Sequence, residues 1–256
     1  MIENPFKILF EKIKYPNYRF REDVILKQER YEPAEWALPL EKQLDLLQNT
    51  YLVGAKADND YAKERINSTK SKGLTRIAIP KLSYLAKIKD VKNPYSNIGI
   101  FIEQICELLF IQRQEKFTHY RKGQLGQNRI QCIQKLVDKR RDLEMSIPGD
   151  ILILDVDLGN YYAGWTPRRA REDIIHRQDR FALSSVDLGW ILLINPNRFQ
   201  RNVDLSVDSV MEEYYSEDRG WVTNLFFYFR GGKLEFGYRW NRRAYFDCGA
   251  TFAIIN

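Results

Sequence analysis

Histidine is almost absent from this 256-residue chain, which has only His119 and His176. A zinc enzyme or a Ser/His triad therefore has almost nothing to work with, and no HExxH pattern occurs. Cysteine is nearly as scarce. Cys106, Cys132 and Cys248 are far apart, odd in number and form no CxxC pair, which suits buried apolar fillers in a reducing compartment better than a disulfide framework. No uncharged apolar run reaches the roughly 18–20 residues of a bilayer span. The opening stretch Met1, Ile2, Glu3, Asn4, Pro5 also lacks the basic-then-apolar pattern of a secretory signal. The expectation is a cytoplasmic protein without membrane association. No glycine-rich loop carries the GK[ST] ending that sets a lysine on phosphates, so nucleotide hydrolysis has no motif to stand on.

What the chain does have is apolar and aromatic mass, 44% and 13% of residues, with 29% charged. That is enough for a full core in one large or two small domains. The net charge of +6 is unevenly placed. Residues 1–145 hold 27 Lys/Arg against 19 Asp/Glu, while residues 146–256 hold 13 against 15. The excess is denser still in 113–141, with nine cations and two acids, and in 66–92, with seven and one. Such asymmetry speaks about partners and not about fold.

The pattern of elements changes at about the same point. Pro5, Pro16, Pro33 and Pro39 keep residues 1–40 irregular, and Glu41–Tyr51 reads as a short helix. The polar stretch from Gly54 to Gly73 predicts a loop or a solvated helix. Ser96 is placed to cap a helix through Ile98, Phe101, Ile102, Ile105, Leu108 and Leu109, which Gly123 and Gly126 end. A second helix carrying Ile130, Ile133, Leu136 and Val137 on one face would complete a helical hairpin with a basic flank. Beyond Pro148, DILILDV (150–156) and WILLI (190–194) read as buried strands. Thr166 followed by Pro167 opens a helix to about Gln178, and Val207, Val210, Met211 and Tyr214 have the spacing of a short helix. Leu225–Arg230 and Lys233–Trp240 flank Gly231 and Gly232 as a hairpin. The fold expected is α+β: a basic, mainly helical region over 1–145 and an α/β-like region over 146–256 closed by an antiparallel hairpin, as two parts or one continuous domain.

The stretches GDILILDVDLGNYYAGWTPRRAREDI (149–174), FALSSVDLGWILLINP (181–196) and GGKLEFGYRW…GATF (231–252) resemble an uncharacterised bacterial family of unknown function. The resemblance covers roughly the last 100 residues, rests on turn glycines and apolar strands, and implies no activity.

Two constellations carry candidate chemistry. Asp155 and Asp157, two apart at the end of a strand and followed by Gly159 and Asn160, resemble the first strand of RNase H-like and RuvC-like nucleases. As hard oxygen donors they are candidate Mg²⁺ ligands and catalytic acids, if Asp173, Asp179, Asp187, Glu212 or Glu213 supplies the rest. No cofactor other than this Mg²⁺ is implied. Gly149, Tyr162, Gly164 and His176 are spaced as in GIY-YIG nucleases, but Ile151 stands where that pattern needs a tyrosine and Glu172 where it needs an arginine.

The broader signal is basic. Arg113, Lys116, Arg121, Lys122, Arg129, Lys135, Lys139, Arg140 and Arg141, with His119, Phe117 and Tyr120 among them, have the composition of a phosphate-contacting surface. Arg168, Arg169 and Arg171 sit at a helix start, where cations are disfavoured unless an anionic partner is present. The aromatics from Trp221 to Phe246 could suggest a carbohydrate or base-stacking platform, but hairpin alternation places only half of them on each face, and they are read as packing for a sheet covered on one side. The function expected is nucleic-acid association, with DNA or RNA, through the basic N-terminal half, its catalytic version being a Mg²⁺-dependent nuclease of a defence or mobile-element system. The rival is a non-catalytic adaptor for an acidic protein. Oligomeric state has no signal.

Overall fold

A computed structural model describes residues 36–254 except 72 and 203. The irregular, proline-interrupted stretch expected over 1–40 therefore lies almost wholly outside the described residues.

The centre of the structure is β4 (Ile151–Leu158), buried along its whole length. A strand rich in Ile and Leu and covered on both faces reads as one continuous apolar run, which is why it was legible. Antiparallel neighbours lie on each side, β1 (Thr75–Pro80) and β10 (Cys248–Ile254). From β10 the sheet continues through β6 (Ser206–Asp208), β8 (Gly220–Arg230) and β7 (Glu212–Ser216) to β3 (Ile130–Cys132). β5 (Arg180–Ala182) also pairs with β10, and β9 (Lys233–Trp240) pairs with β8 and, in parallel, with β2 (Phe117–His119). The result is an open, mixed, ten-stranded sheet in an α+β fold. Three of its strands, β1, β2 and β3, come from the first 145 residues.

Seven α-helices accompany it among the described residues: α1 (Leu40–Leu46), α2 (Asn59–Asn67), α3 (Leu82–Ile88), α4 (Ile98–Arg113), α5 (Gln134–Ser146), α6 (Pro167–His176) and α7 (Ser185–Ile194). The Asp58 carboxylate caps α2 by accepting the Tyr61 N–H at 2.8 Å, so the polar stretch is a solvated helix. Thr166 caps α6 as expected, with proline at its first turn. Asn97, not Ser96, precedes α4, and Ser96 instead gives its N–H to Asn93.

Three expectations are corrected. WILLI is not a strand but the second half of α7, and every residue of that helix is buried. Ser184 and Asp187 form a reciprocal capping box, 3.1 Å and 2.9 Å, which starts the helix ahead of the apolar run. A run buried on all sides looks alike in either conformation. Val207, Val210, Met211 and Tyr214 are buried as their spacing suggested, but on β6, β7 and the bend between them. The helical hairpin is interrupted as well. α4 stops at Arg113, Gln114 takes a positive φ of 52°, and β2 and β3 intervene before α5. Helix α7 packs on α4 through Gly189, where an added Cβ would come within 2.6 Å of the Ile105 side chain.

Candidate nucleic-acid interface

The two strand acids are both buried, and their surroundings differ. Asp155 stands directly across from Arg76 on β1. It accepts from Arg76 Nε at 2.8 Å and Nη2 at 3.1 Å and from the Ser71 N–H at 3.1 Å, with Arg65 Nη2 at 3.2 Å. Burial alone would raise its pKa, but these partners hold it below the usual range. Asp157 accepts the Gly159 N–H at 2.8 Å and the Tyr161 N–H at 3.2 Å, closing its own turn. Desolvation lifts its pKa to about 6 in spite of those bonds. Glu213 binds Arg171, Asp187 binds Arg140, and Glu212 accepts the Ser185 N–H at 2.6 Å. Among the described residues no group of three His, Cys, Asp or Glu side chains is placed to hold a metal ion. The donors present do not fit the Mg²⁺ site expected of Asp155 and Asp157. Tyr162, of the GIY-YIG-like spacing, is buried and donates its hydroxyl to Asp173 at 2.6 Å.

The basic residues divide into those turned inward and those left outside. Arg140 is 2% exposed, between Glu144 at 3.0 Å and Asp187 at 2.8 Å. Arg171 is buried, donating to the Val210 carbonyl at 2.8 Å and to Glu213. That contact to β7 accounts for a cation near the start of α6 without an external anion. Arg168 lies 3.3 Å from Glu172 one turn on, and Arg169 stacks over Trp165 at 4.8 Å. Arg113 gives a bond to the Pro196 carbonyl at 2.9 Å and Lys139 to the Ile174 carbonyl at 2.8 Å. Arg129 pairs with Glu217 at 2.6 Å, and Arg121 covers Tyr238 at 4.8 Å. These last two line an open groove of about 980 Å³, but Glu217 and Asp218 line it too, so it presents both signs of charge. Lys116, Lys122 and Lys135 remain exposed, as does Arg141 over the Tyr95 ring.

Pairing across the halves brings cations together that the sequence separates. The parallel register of β2 and β9 begins at Phe117 and Leu234, so Lys116 and Lys233 precede the same rung. Arg230 and Lys233 face each other across the two-glycine turn, Gly231 and Gly232 both having positive φ. Like charges directly opposite on paired strands disfavour the hairpin. Lys116, Arg230 and Lys233 are all exposed, and Lys122 follows in the loop after β2.

The sheet beside them has two unlike faces. Leu225, Phe227, Leu234 and Phe236 are fully buried on the face where His119 meets Glu103 of α4 at 2.9 Å and the Phe236 ring at 5.2 Å. On the alternate positions Phe226 and Tyr228 are half-buried and Tyr120 is 47% exposed. The aromatics of the hairpin thus split between core and outer surface. Strict alternation over 225–240 was the signal that half of them would turn outward, but what covers a face is a tertiary fact. Comparison of the chain with models of known protein families, with curated proteins and with solved structures returned no match.

Proposed function

We propose that the protein associates with nucleic acid by contacting phosphates along the outer edge where β2 and the β8–β9 hairpin meet. The observation that supports this best is the convergence of Lys116 with Arg230 and Lys233, drawn from both halves of the sequence and kept adjacent although the Arg230–Lys233 pairing disfavours the turn. Polyanion binding repays such a cost, because each neutralised phosphate releases condensed counterions. The site is narrower than the set of basic residues singled out in the sequence, since Arg140 and Arg171 hold internal carboxylates and Arg113 and Lys139 hold main-chain carbonyls. Nothing in the setting of Asp155 and Asp157 adds a metal-dependent cleavage step to this reading.

The test is binding of a labelled oligonucleotide at two or more salt concentrations by wild type and by a Lys116→Glu/Arg230→Glu/Lys233→Glu variant. The expected result is a log–log salt slope shallower by about one for each phosphate that the variant no longer neutralises, with the fold intact by circular dichroism. Salt-dependent binding to an acidic protein but to no nucleic acid would overturn it in favour of an adaptor.

A further inference from the structure

The outer face next to those cations carries several aromatic rings. Phe226 and Tyr228, two apart on β8, are stacked with centroids 4.6 Å apart and planes 8° from parallel. Gly237, directly opposite Phe226 on β9, has no side chain to stand between them and the next strand. A Cβ there would find only Phe226 at 3.8 Å and Tyr120 at 3.9 Å, so these two rings roof the strand. Cross-strand covering of a glycine by an aromatic ring is a known way to hold such a ring in place.

The rings are also fixed from their edges. Tyr120 donates its hydroxyl to Glu235 at 3.2 Å, and Glu235 sits opposite Tyr228. Beyond Phe226, the Arg239 guanidinium lies 5.0 Å from that ring and 4.8 Å from Tyr245. Asp208 pairs with Arg239 from within the sheet and is itself bonded by Asn224 at 2.9 Å. Arg239 therefore has its charge matched internally and serves to align the rings. Arg243, exposed, caps Tyr245 at 5.2 Å. The sequence Tyr228, Phe226, Arg239, Tyr245, Arg243 is a continuous cation–π column, with Arg230 and Lys233 beyond its first member and Tyr120 at its side.

Resting on the phosphate reading above, we infer that Tyr120 and Tyr228, the ring at the end of this column, form a stacking platform for unpaired bases, so that the ligand is single-stranded DNA or RNA. The chemistry is complementary on both counts. Exposed cations at the two ends, Arg230 with Lys233 and Arg243, suit a backbone running across the face, while the rings of Tyr120 and Tyr228 offer π-surfaces that every base can use. A duplex presents the same phosphates but keeps its bases paired and stacked, so it gains nothing from Tyr120 or Tyr228.

The experiment uses the full chain and fluorescein-labelled dT12, U12 and a blunt 12-base-pair DNA duplex, read by anisotropy at low and moderate salt. Variants are Tyr120→Ala and Tyr228→Leu, with Tyr120→Phe and Tyr228→Phe keeping the ring and losing the hydroxyl. Circular dichroism and thermal unfolding show whether each variant folds. The platform predicts tighter binding of dT12 or U12 than of the duplex. It also predicts a loss of roughly 5- to 150-fold when either ring is removed, at unchanged salt slope, and near wild-type binding for the Phe variants. Equal binding of single strand and duplex, with no effect of ring removal, would overturn the platform and leave the phosphate reading standing. Absence of binding to all three probes would overturn both.

Discussion

Arginine lives in two worlds in this protein. Inside, Arg65, Arg140, Arg171, Arg180, Arg198 and Arg239 are all buried, and each is matched by carboxylates, carbonyl oxygens or ring faces. Outside, Arg230 and Arg243 stand with Lys116, Lys122 and Lys233 in contact with solvent. The two sets look the same in a count of charged residues. A formal excess of positive charge therefore overstates the surface available to an anionic partner, and the electrostatics of binding depend on which cations have no internal duty.

The difference is sharpest at Arg140. Arg140→Ala leaves Glu144 and Asp187 buried without their counter-charge, and a loss of about 3–5 kcal/mol is expected in denaturant unfolding. The same substitution at Arg230 is expected to change stability by less than about 0.5 kcal/mol while weakening nucleic-acid binding. An Arg140→Ala protein that unfolded like wild type but lost binding would reverse the assignment of these two residues.

Next in size is the contrast between the two acids of β4. Asp155→Ala strands Arg65 and Arg76 in a mostly buried setting, for an expected loss of about 3 kcal/mol in unfolding measurements. Addition of Mg²⁺ is expected to leave the unfolding temperature of wild type unchanged, because Asp155 is engaged by arginines and Asp157 by its own turn. A Mg²⁺-dependent rise that Asp155→Asn abolished would restore the metal site.

The pH dependence separates these acids further, with opposite signs. The pKa of Asp155 is lowered in the folded state, so its stabilisation is present above about pH 4 and lost as pH falls through its folded value. The pKa of Asp157 is raised to about 6, so its contribution is complete below about pH 4, declines as pH rises through 6 and is constant beyond. Unfolding titrations of Asp157→Asn are expected to lack the decline between about pH 4 and 6 that wild type shows. A wild-type profile without it would mean that Asp157 is solvated.

Smallest is the effect at the outer face itself. Gly237→Ala meets only ordinary contacts from Phe226 and Tyr120, and a change within about 1 kcal/mol is expected in thermal unfolding. A larger substitution, Gly237→Val, has to lift those rings and is expected to weaken oligonucleotide binding more than it affects stability. Equal effects of Ala and Val on binding would contradict the place given to the rings.

Much of the fold could be read from the chain because local signals and burial agreed. The DILILDV strand, the Thr166–Pro167 helix start and the Gly231–Gly232 hairpin each carry their own backbone chemistry, and each stands where expected. WILLI misled because a segment with no polar face has no period to read, and the decisive groups, Ser184 and Asp187, lie upstream of it. The spacing of Val207, Val210, Met211 and Tyr214 reported burial correctly and conformation wrongly. At the candidate site, Lys116 and Lys122 were visible as charge. The meeting of Lys116 with Arg230 and Lys233 was not, since a parallel pairing between residues 117 and 234 leaves no local trace. Nor could composition tell that Arg140 faces Asp187, a contact 47 residues away in the chain.

The most direct test of the central claim is photo-crosslinking of the full chain to a single-stranded oligonucleotide carrying 4-thiouridine, with adducts mapped by mass spectrometry. The account predicts adducts within residues 117–122 and 226–245, reduced by the Lys116→Glu/Arg230→Glu/Lys233→Glu substitutions. Adducts confined to helix α5 or to residues 66–92, or unchanged by those substitutions, would contradict it.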